Sequence, residues 1–330
     1  MQVLDKSGIH LPEFDLWLDP HHTRPVAFVS HAHADHMKKH GRVFATPATA
    51  DMMRARGATK SHFHHLGWRE EVKWNRAQVS FFPAGHVLGS AQMLVESEGA
   101  RLLYSGDFKM RDGLSCEPIE VPRADILIME TTFGRPHYRF PESCEVLEQI
   151  RNWCAQVLGR DAIPAIFCYS LGKGQEVLAG LNGCDFPIFL HAKHGQISDV
   201  YARHGVEFPD FKIHEVGIDI DGVLLCASQC KRAKWWQELT QKRRVETAYV
   251  SGWALNSHPA RFGADAAFAL SDHAGYDDLW KYVRQSGAQK VWTTHGFDAE
   301  FAADLRAAGI EAAPLRTAKL EPTGRQLCLF

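Results

Sequence analysis

A six-residue run rich in histidine is the segment of the sequence with the most evident chemistry. Residues 31–36 read His-Ala-His-Ala-Asp-His and directly follow a short apolar stretch. Alternate side chains of an extended chain point the same way, so His31 and His33 can reach one metal ion, while Asp35 and His36 reach another beyond a turn. A solvent-exposed polar loop is the alternative interpretation. Four ligand-type residues at this spacing favour metal binding over that alternative.

Short apolar stretches are predicted to position these and further reactive side chains. Six stretches rich in Val, Ile and Phe are predicted as strands, and each leads into a loop with a histidine or an acid. Because rigid strands often carry function on the loops at their ends, we expect an α/β fold. The predicted strands and the side chains that follow them are 26–30 before His31, 79–82 before His86, 102–105 before Asp107, 126–129 before Glu130, 266–270 before His273 and 290–293 before His295.

A second α/β pattern occupies the middle of the chain, where ligand-type residues become sparse. We predict an inserted domain at residues 136–264, between the two parts of another domain at 1–135 and 265–330. Within the insertion, strands are predicted at 163–169, 222–227 and 247–250, with a helix beginning at 174. Outside it, helices are predicted at 47–56, 277–284 and 299–308.

The composition is typical of an ordinary globular protein. The 330 residues are 45% hydrophobic and 23% charged, with a net charge of −2, so any polyanion must be held by a local patch rather than by a global positive field. The absence of a signal-like N-terminal segment and of 18 consecutive apolar residues predicts a cytoplasmic protein without membrane association.

The eight cysteines are scattered without a CxxC pair, which predicts reduced thiols. Cys226 and Cys230 could hold a zinc ion, but a second pair of ligands is missing. We therefore interpret them as core residues.

The histidine-rich run resembles the HxHxDH signature of the metallo-β-lactamase superfamily. Asp19, which precedes the run, resembles the early structural aspartate of that superfamily, and further ligand-type residues follow in the expected order. The resemblance implies an αββα sandwich that binds two divalent metal ions, Mn²⁺ or Zn²⁺. It assigns His31, His33 and His86 to the first ion, Asp35, His36 and His295 to the second, and Asp107 to both.

The long stretch between Asp107 and His295 resembles the β-CASP subgroup, in which an inserted domain interrupts the metallo-β-lactamase domain and whose members cut nucleic acid. Glu130 and His273 are similar to the acidic and histidine motifs of that subgroup. The resemblance implies that Glu130 holds His273, that His273 protonates the leaving oxygen, and that Asp35 also belongs to the catalytic residues. A neighbouring carboxylate raises the pKa of a histidine, which keeps its proton available. A helix-capping or core histidine is the alternative for His273.

The segment from Met129 to Gly134 is similar to bacterial ligase-associated DNA exonucleases. This similarity implies a nuclease for single-stranded DNA or single-stranded ends in DNA repair, with two-metal hydroxide attack that leaves a 5′-phosphate and a 3′-hydroxyl. It also implies association with a DNA ligase and a helicase. An RNA nuclease, a thioesterase and an inactive scaffold are the alternatives, and exonuclease or endonuclease action stays open.

Two further segments of the insertion are candidates for nucleic-acid contact. Ser170, Gly172 and Lys173 lie where a predicted strand leads into a helix, whose N-terminal N–H groups can bind phosphate. A plain strand-to-helix turn is an equal alternative. Residues 231–236 and 242–244 mix cations with aromatic rings, as grooves for single strands do, although most charged runs are simply solvated surface.

Overall fold

The computed structural model describes residues 1–58 and 60–317, so Cys328 lies outside the described residues. In this part of the chain, two sheets with helices on their outer faces form a sandwich, and a third sheet with its own helices forms a separate α/β unit. The predicted α/β fold with an αββα sandwich is thereby confirmed.

The first sheet contains six strands in sequence order, with antiparallel pairing at the start and parallel pairing from β3 onward. Its parallel part delivers the histidine-rich run at the end of β4. The strands are β1 (Leu4–Asp5), β2 (Ile9–Leu11), β3 (Leu16–Leu18), β4 (Val26–Phe28), β5 (Arg42–Ala45) and β6 (His62–His65).

The second sheet contains seven strands in the order β19-β18-β11-β10-β9-β8-β7. Strands β7 to β10 form an antiparallel meander, whereas β10, β11, β18 and β19 are parallel. The strands are β7 (Val72–Trp74), β8 (Ala77–Pro83), β9 (Ala91–Ser97), β10 (Ala100–Tyr104), β11 (Ile126–Glu130), β18 (Lys290–Thr294) and β19 (Glu311–Pro314).

The core between the two sheets is formed by alternate residues of facing strands. Phe28 of β4 packs near Phe81 of β8 and Tyr104 of β10, with ring centroids 5.0 Å and 6.2 Å apart. All three rings are buried. Because alternate residues of a strand point to opposite faces, Leu103 instead faces the helices on the outer side of the second sheet.

Helices cover both outer faces of this sandwich. Helix α1 (Pro47–Ala55) packs its buried Met52 and Met53 on the first sheet, whereas α6 (Tyr276–Ser286) and α7 (Asp298–Ala307) cover the second. Helix α1 begins with Thr46 as its N-cap and Pro47 in its first turn, as its sequence predicts.

The third sheet is parallel throughout and has the order β14-β13-β15-β12-β16-β17. Its strands are β12 (Ile163–Phe167), β13 (Ile188–Leu190), β14 (Lys212–Ile213), β15 (Val223–Cys226), β16 (Val245–Val250) and β17 (Ala266–Phe268). The helices that accompany it are α2 (Ser143–Leu158), α3 (Lys173–Gly180), α4 (Ala192–Arg203) and α5 (Lys234–Lys242).

The position of strand β17 concerns the second boundary of the predicted division of the chain into 1–135, 136–264 and 265–330. This strand pairs with β16, so the third sheet continues beyond residue 264. We therefore propose that the inserted domain extends a few residues further, to about residue 270. The described residues contain no helix that is both long and apolar enough to span a membrane.

Candidate metal centre

The strand order of the sandwich brings the candidate ligands to one edge. Strands β10, β11 and β18 are adjacent and parallel, so the residues that end them or follow them lie side by side: Asp107, Glu130 and His295. The first sheet contributes the run after β4, and the turn between β8 and β9 contributes His86. His295 has a left-handed backbone conformation, with φ of 59°, where the chain turns away from the sheet.

Four of the predicted ligands form one compact cluster. His31 Nε2 lies 2.9 Å from His33 Nδ1, and His86 Nε2 lies 3.1 Å from the same atom. Asp107 Oδ2 is 3.5 Å from His31 Nε2 and 3.9 Å from His86 Nε2. One atom from each of the four side chains lies within 4.8 Å of the other three, so the cluster can bind a metal ion. Three imidazoles with a carboxylate suit Zn²⁺, Mn²⁺ or Fe²⁺.

The opposite ring nitrogens of the histidines are held by the protein. His33 Nε2 donates to the carbonyl of Leu171 at 3.1 Å, and His86 Nδ1 donates to the carbonyl of Asp272 at 2.8 Å. His31 Nδ1 donates to the hydroxyl of Ser30 at 3.0 Å. Metal-binding histidines usually have such a second hydrogen bond, which fixes the ring and leaves the other nitrogen's lone pair for the ion. The donor set therefore fits a metal site.

The remaining predicted ligands lie on the other side of Asp107. His36 Nε2 is 3.4 Å from Asp107 Oδ2 and 3.8 Å from Asp35 Oδ2. The ring of His295 lies 5.7 Å from that of His36, between centroids. The side chain of Asp35 is 77% exposed, unlike the buried His36. The assignment of Asp35, His36 and His295 to a second ion stays a prediction.

Asp19 organises the base of the site. Its Oδ2 accepts hydrogen bonds from Ser30 Oγ at 2.5 Å, His36 Nδ1 at 2.8 Å and Tyr104 Oη at 2.9 Å, and its Oδ1 accepts the Ser30 backbone N–H at 2.8 Å. This buried carboxylate thus orients His36 directly and His31 through Ser30. That geometry agrees with the structural role that the resemblance implies for Asp19.

Burial and neighbouring charges give the histidines of the site different protonation states. Burial lowers the pKa of His86 to about 3 and lowers the pKa of His31 well below its usual range, so both present neutral imidazoles. Burial also opposes charge on His36, but Asp107 and Asp19 raise the pKa of His36 well above its usual range.

The partly buried His273 and the buried Glu130 form a pair beside the metal cluster. His273 Nδ1 donates to Glu130 Oε1 at 2.8 Å, and Glu130 also accepts the backbone N–H groups of Phe108 and Thr132. Burial opposes charge on His273, but Glu130 raises its pKa to about 10. The ring of His273 lies 4.7 Å from that of His86. A protonated imidazole beside the cluster can donate a proton to a leaving group.

The metal cluster opens into a cleft of about 370 Å³ between the sandwich and the inserted domain. Besides the predicted residues, Arg56, Tyr169 and Trp253 line this cleft. These three residues were not predicted from the sequence. A single arginine or a single aromatic residue has no spacing that would distinguish it from surface or core.

The segment from Ser170 to Lys173 lies beside the metal cluster, but its groups are partly engaged within the protein. Ser170 lines the cleft. The Lys173 ammonium is only 2% exposed and pairs with Asp272 at 3.0 Å, and the Gly172 N–H donates to Gln175. The charge of Lys173 is therefore paired with Asp272, and contact of Ser170, Gly172 and Lys173 with a nucleic-acid backbone stays a prediction.

Three of the six cations in the basic runs of the insertion pair with acids. Arg243 contacts Asp219 at 2.9 Å, Arg244 contacts Glu246 at 2.9 Å, and Lys234 lies 3.5 Å from Glu238. Cys226 and Cys230 are free thiols, and neither belongs to a candidate metal cluster in the described part of the chain.

Comparisons with known proteins agree with this geometry. Residues 16–164 match the Beta-lactamase superfamily domain. Over 92% of its length, the chain is 41% identical to a protein from Opitutus terrae named "Probable DNA ligase", and it covers 30% of that protein. Over 48% of its length, it is 27% identical to "RNase aCSPSF2" from Saccharolobus solfataricus, of which it covers 38%. The chain thus spans well under half the length of these curated relatives.

A crystal structure of a protein of unknown function from Enterococcus faecalis superposes with a TM-score of 0.61 at 12% identity, covering 88% of this chain and 79% of that one. This likeness concerns the fold alone. From the sandwich, the His/Asp cluster and the match over residues 16–164, we conclude that this chain contains a β-lactamase superfamily domain and has the metallo-β-lactamase fold.

Proposed function

We propose that the chain is a metal-dependent nuclease that cleaves single-stranded DNA. The observation that carries this proposal is the position of the His273–Glu130 pair beside the cluster of His31, His33, His86 and Asp107. An acid next to a metal cluster in an open cleft suits hydrolysis of a phosphodiester better than that of a small thioester.

The residues of the chain have distinct tasks in this proposal. His31, His33, His86 and Asp107 would hold one divalent ion, and Asp35, His36 and His295 would hold a second ion together with Asp107. When bound, such a pair of ions lowers the pKa of water and neutralises charge on the scissile phosphate. Glu130 holds the proton on His273. As a water oxygen bonds to phosphorus and the P–O3′ bond breaks, His273 gives its proton to the departing 3′ oxygen, a proton of the water passes to solvent, and the other product carries a 5′-phosphate.

DNA is proposed as the substrate because of how far the similarities extend. Similarity to the protein named "Probable DNA ligase" covers 92% of this chain, whereas similarity to the protein named RNase covers 48%. RNA is the second candidate, which that RNase relative supports. Action in DNA repair, a cytoplasmic location and association with a DNA ligase and a helicase belong to the same proposal.

The test compares the purified wild-type chain with Asp107→Ala and Asp112→Ala. Asp112 is exposed and lies outside the cleft, so its variant is a matched control. We expect the wild type and Asp112→Ala to cleave an end-labelled DNA strand with Mn²⁺ or Zn²⁺, and Asp107→Ala to bind less metal and lose cleavage. Cleavage by folded Asp107→Ala at the wild-type rate would overturn the proposal.

Two further substrates distinguish DNA from RNA cleavage and internal cleavage from action at ends. A matched RNA strand compares the two candidate substrates under one condition. A circular single strand separates internal cleavage from action at ends, because a circle offers no end. We expect faster cleavage of DNA than of RNA, and RNA cleavage alone would replace the first candidate with the second.

A further inference from the structure

A second cavity, of about 640 Å³, lies at the carboxyl ends of the strands of the third sheet. The segments after β12, β13 and β15 and the end of β16 surround it. Strands β12 and β15 are neighbours, but the helices that follow them, α3 and α5, pack on opposite faces of the sheet. In open α/β sheets, ligands bind in the crevice that such a reversal creates.

This second cavity adjoins the metal cleft. Tyr169 and Ser170 line both spaces, so they form the divide between them. The side chain of Tyr169 is 61% exposed, which is unusual for a large aromatic residue. A strand that lies in the metal cleft and continues past this divide would bring its next nucleotide over the second cavity.

The lining of the second cavity suits a nucleobase. Trp235 and Tyr249 are half-buried and offer ring surface, while His191, Ser228 and Gln229 offer hydrogen-bonding groups. Lys193 is an exposed cation at the same cavity. Within the described residues, no aspartate or glutamate lines this cavity, so an anionic backbone would meet no opposing carboxylate.

A buried histidine of the second cavity has an unused ring nitrogen. His194 is 1% exposed, and its Nε2 lies 3.6 Å from Cys168 Sγ. Its Nδ1 has no hydrogen-bond partner among the described residues. Buried polar atoms in native proteins are almost always paired, so this nitrogen indicates an ordered water beside the cavity.

We propose that the second cavity binds an unpaired base of the strand whose backbone lies in the metal cleft, with Tyr169 and Trp235 as its stacking residues. This inference rests on the proposed nuclease function and extends it to how the substrate is selected. A base held in a duplex cannot leave its partner to enter the cavity without the cost of unpairing. The cavity would therefore select single strands over duplexes.

The test is an abasic scan of a short single strand, measured by fluorescence anisotropy with metal-loaded protein. The strands carry phosphorothioate linkages that resist cleavage, and each lacks one base at a different position. We expect wild-type affinity to fall about tenfold when one particular base, or two adjacent bases, are missing. Tyr169→Ala and Trp235→Leu should bind the complete strand more weakly and should no longer respond to that abasic position.

Tyr169→Phe is the matched control, because it keeps the ring and removes only the hydroxyl. It should retain the wild-type abasic profile. An equal response of wild type and Tyr169→Ala at every position would overturn the inference while leaving the nuclease proposal intact. A wild-type protein that neither binds nor cleaves any strand would overturn both.

Discussion

At the scale of single residues, the candidate site depends on how its ligands are held as much as on the ligands themselves. The ligand types and their spacing were predicted from the sequence, and the structure brings one atom each of His31, His33, His86 and Asp107 within 4.8 Å of the others, so the cluster can bind a metal ion. The partners of these ligands were largely not predictable. A backbone carbonyl such as that of Leu171 has no signature in the sequence, because every residue has one.

Asp19→Asn should weaken metal binding without removing a ligand. The amide lacks the charge that holds His36 and Ser30, and losses of this kind typically cost about 10- to 100-fold in metal affinity. Competition with a chromogenic chelator measures the change. Asp15→Asn is the control, since Asp15 is exposed and its left-handed backbone also suits asparagine. Equal metal affinity of both variants would contradict the role given to Asp19.

Glu130→Gln should slow cleavage while metal content stays at the wild-type level. The variant removes the charge that keeps His273 protonated, and general acid catalysis contributes about 10²- to 10⁴-fold. Initial rates on a labelled DNA strand, together with metal analysis of the same samples, provide the measurement. A variant that keeps its metal and cleaves as fast as wild type would exclude His273 as an acid held by Glu130.

At the scale of elements, the strands that carry reactive residues were predictable and several others were not. Strands β4, β8, β10, β11 and β18 lie within a few residues of their predictions because apolar runs there end abruptly in polar loops. Strands β13 and β14 are only three and two residues long, so their extended state depends on pairing with neighbours rather than on local pattern.

Gly89→Ala tests the junction between helix α1 and the loop that carries His86. Gly89 has φ of 71°, and an added Cβ would lie 2.7 Å from Ala48 Cβ and 2.8 Å from Thr46 Oγ1. Its carbonyl also accepts the Thr46 and Thr49 hydroxyls. We expect the variant to lower the free energy of unfolding by about 2–4 kcal/mol, from backbone strain and overpacking together.

Gly99→Ala provides the matched control for this steric effect. Gly99 has φ of 78°, but an added Cβ would meet nothing within 4 Å. The free energy of unfolding of this control should therefore fall only by the contribution of backbone strain, about 1–2 kcal/mol. Urea denaturation followed by circular dichroism measures both variants. Equal losses for the two variants would show that the contacts at Gly89 do not constrain the junction.

At the scale of the whole molecule, the inserted domain and the sandwich are joined through buried polar contacts. Glu176 of helix α3 accepts the backbone N–H groups of Leu114 and Ser115 and the Ser115 hydroxyl at 2.8 Å. Its carboxylate also lies 3.7 Å from the buried Lys109 ammonium. An insertion can be predicted from the sequence because ligand-type residues become sparse. The contacts that dock it could not be predicted, because they come from single residues scattered along the chain.

Glu176→Ala should lower the free energy of unfolding by about 3–5 kcal/mol, because it leaves a buried cation and several N–H groups without their acceptor. Glu148→Ala, on the exposed face of α2, should change it by less than about 0.5 kcal/mol. Denaturant titration monitored by tryptophan fluorescence checks both values. A Glu176→Ala loss as small as that of Glu148→Ala would show that this contact does not stabilise the docked arrangement.

The hydrogen bond from His33 to the Leu171 carbonyl crosses from one domain to the other. An imidazole of the sandwich is therefore oriented by backbone that only a docked insertion supplies. Metal occupancy in this protein should therefore depend on correct docking of the inserted domain. A chain whose insertion is misplaced or removed would keep its histidines, but the ring of His33 would no longer be held in its orientation. In this molecule the inserted domain helps to form the candidate metal centre.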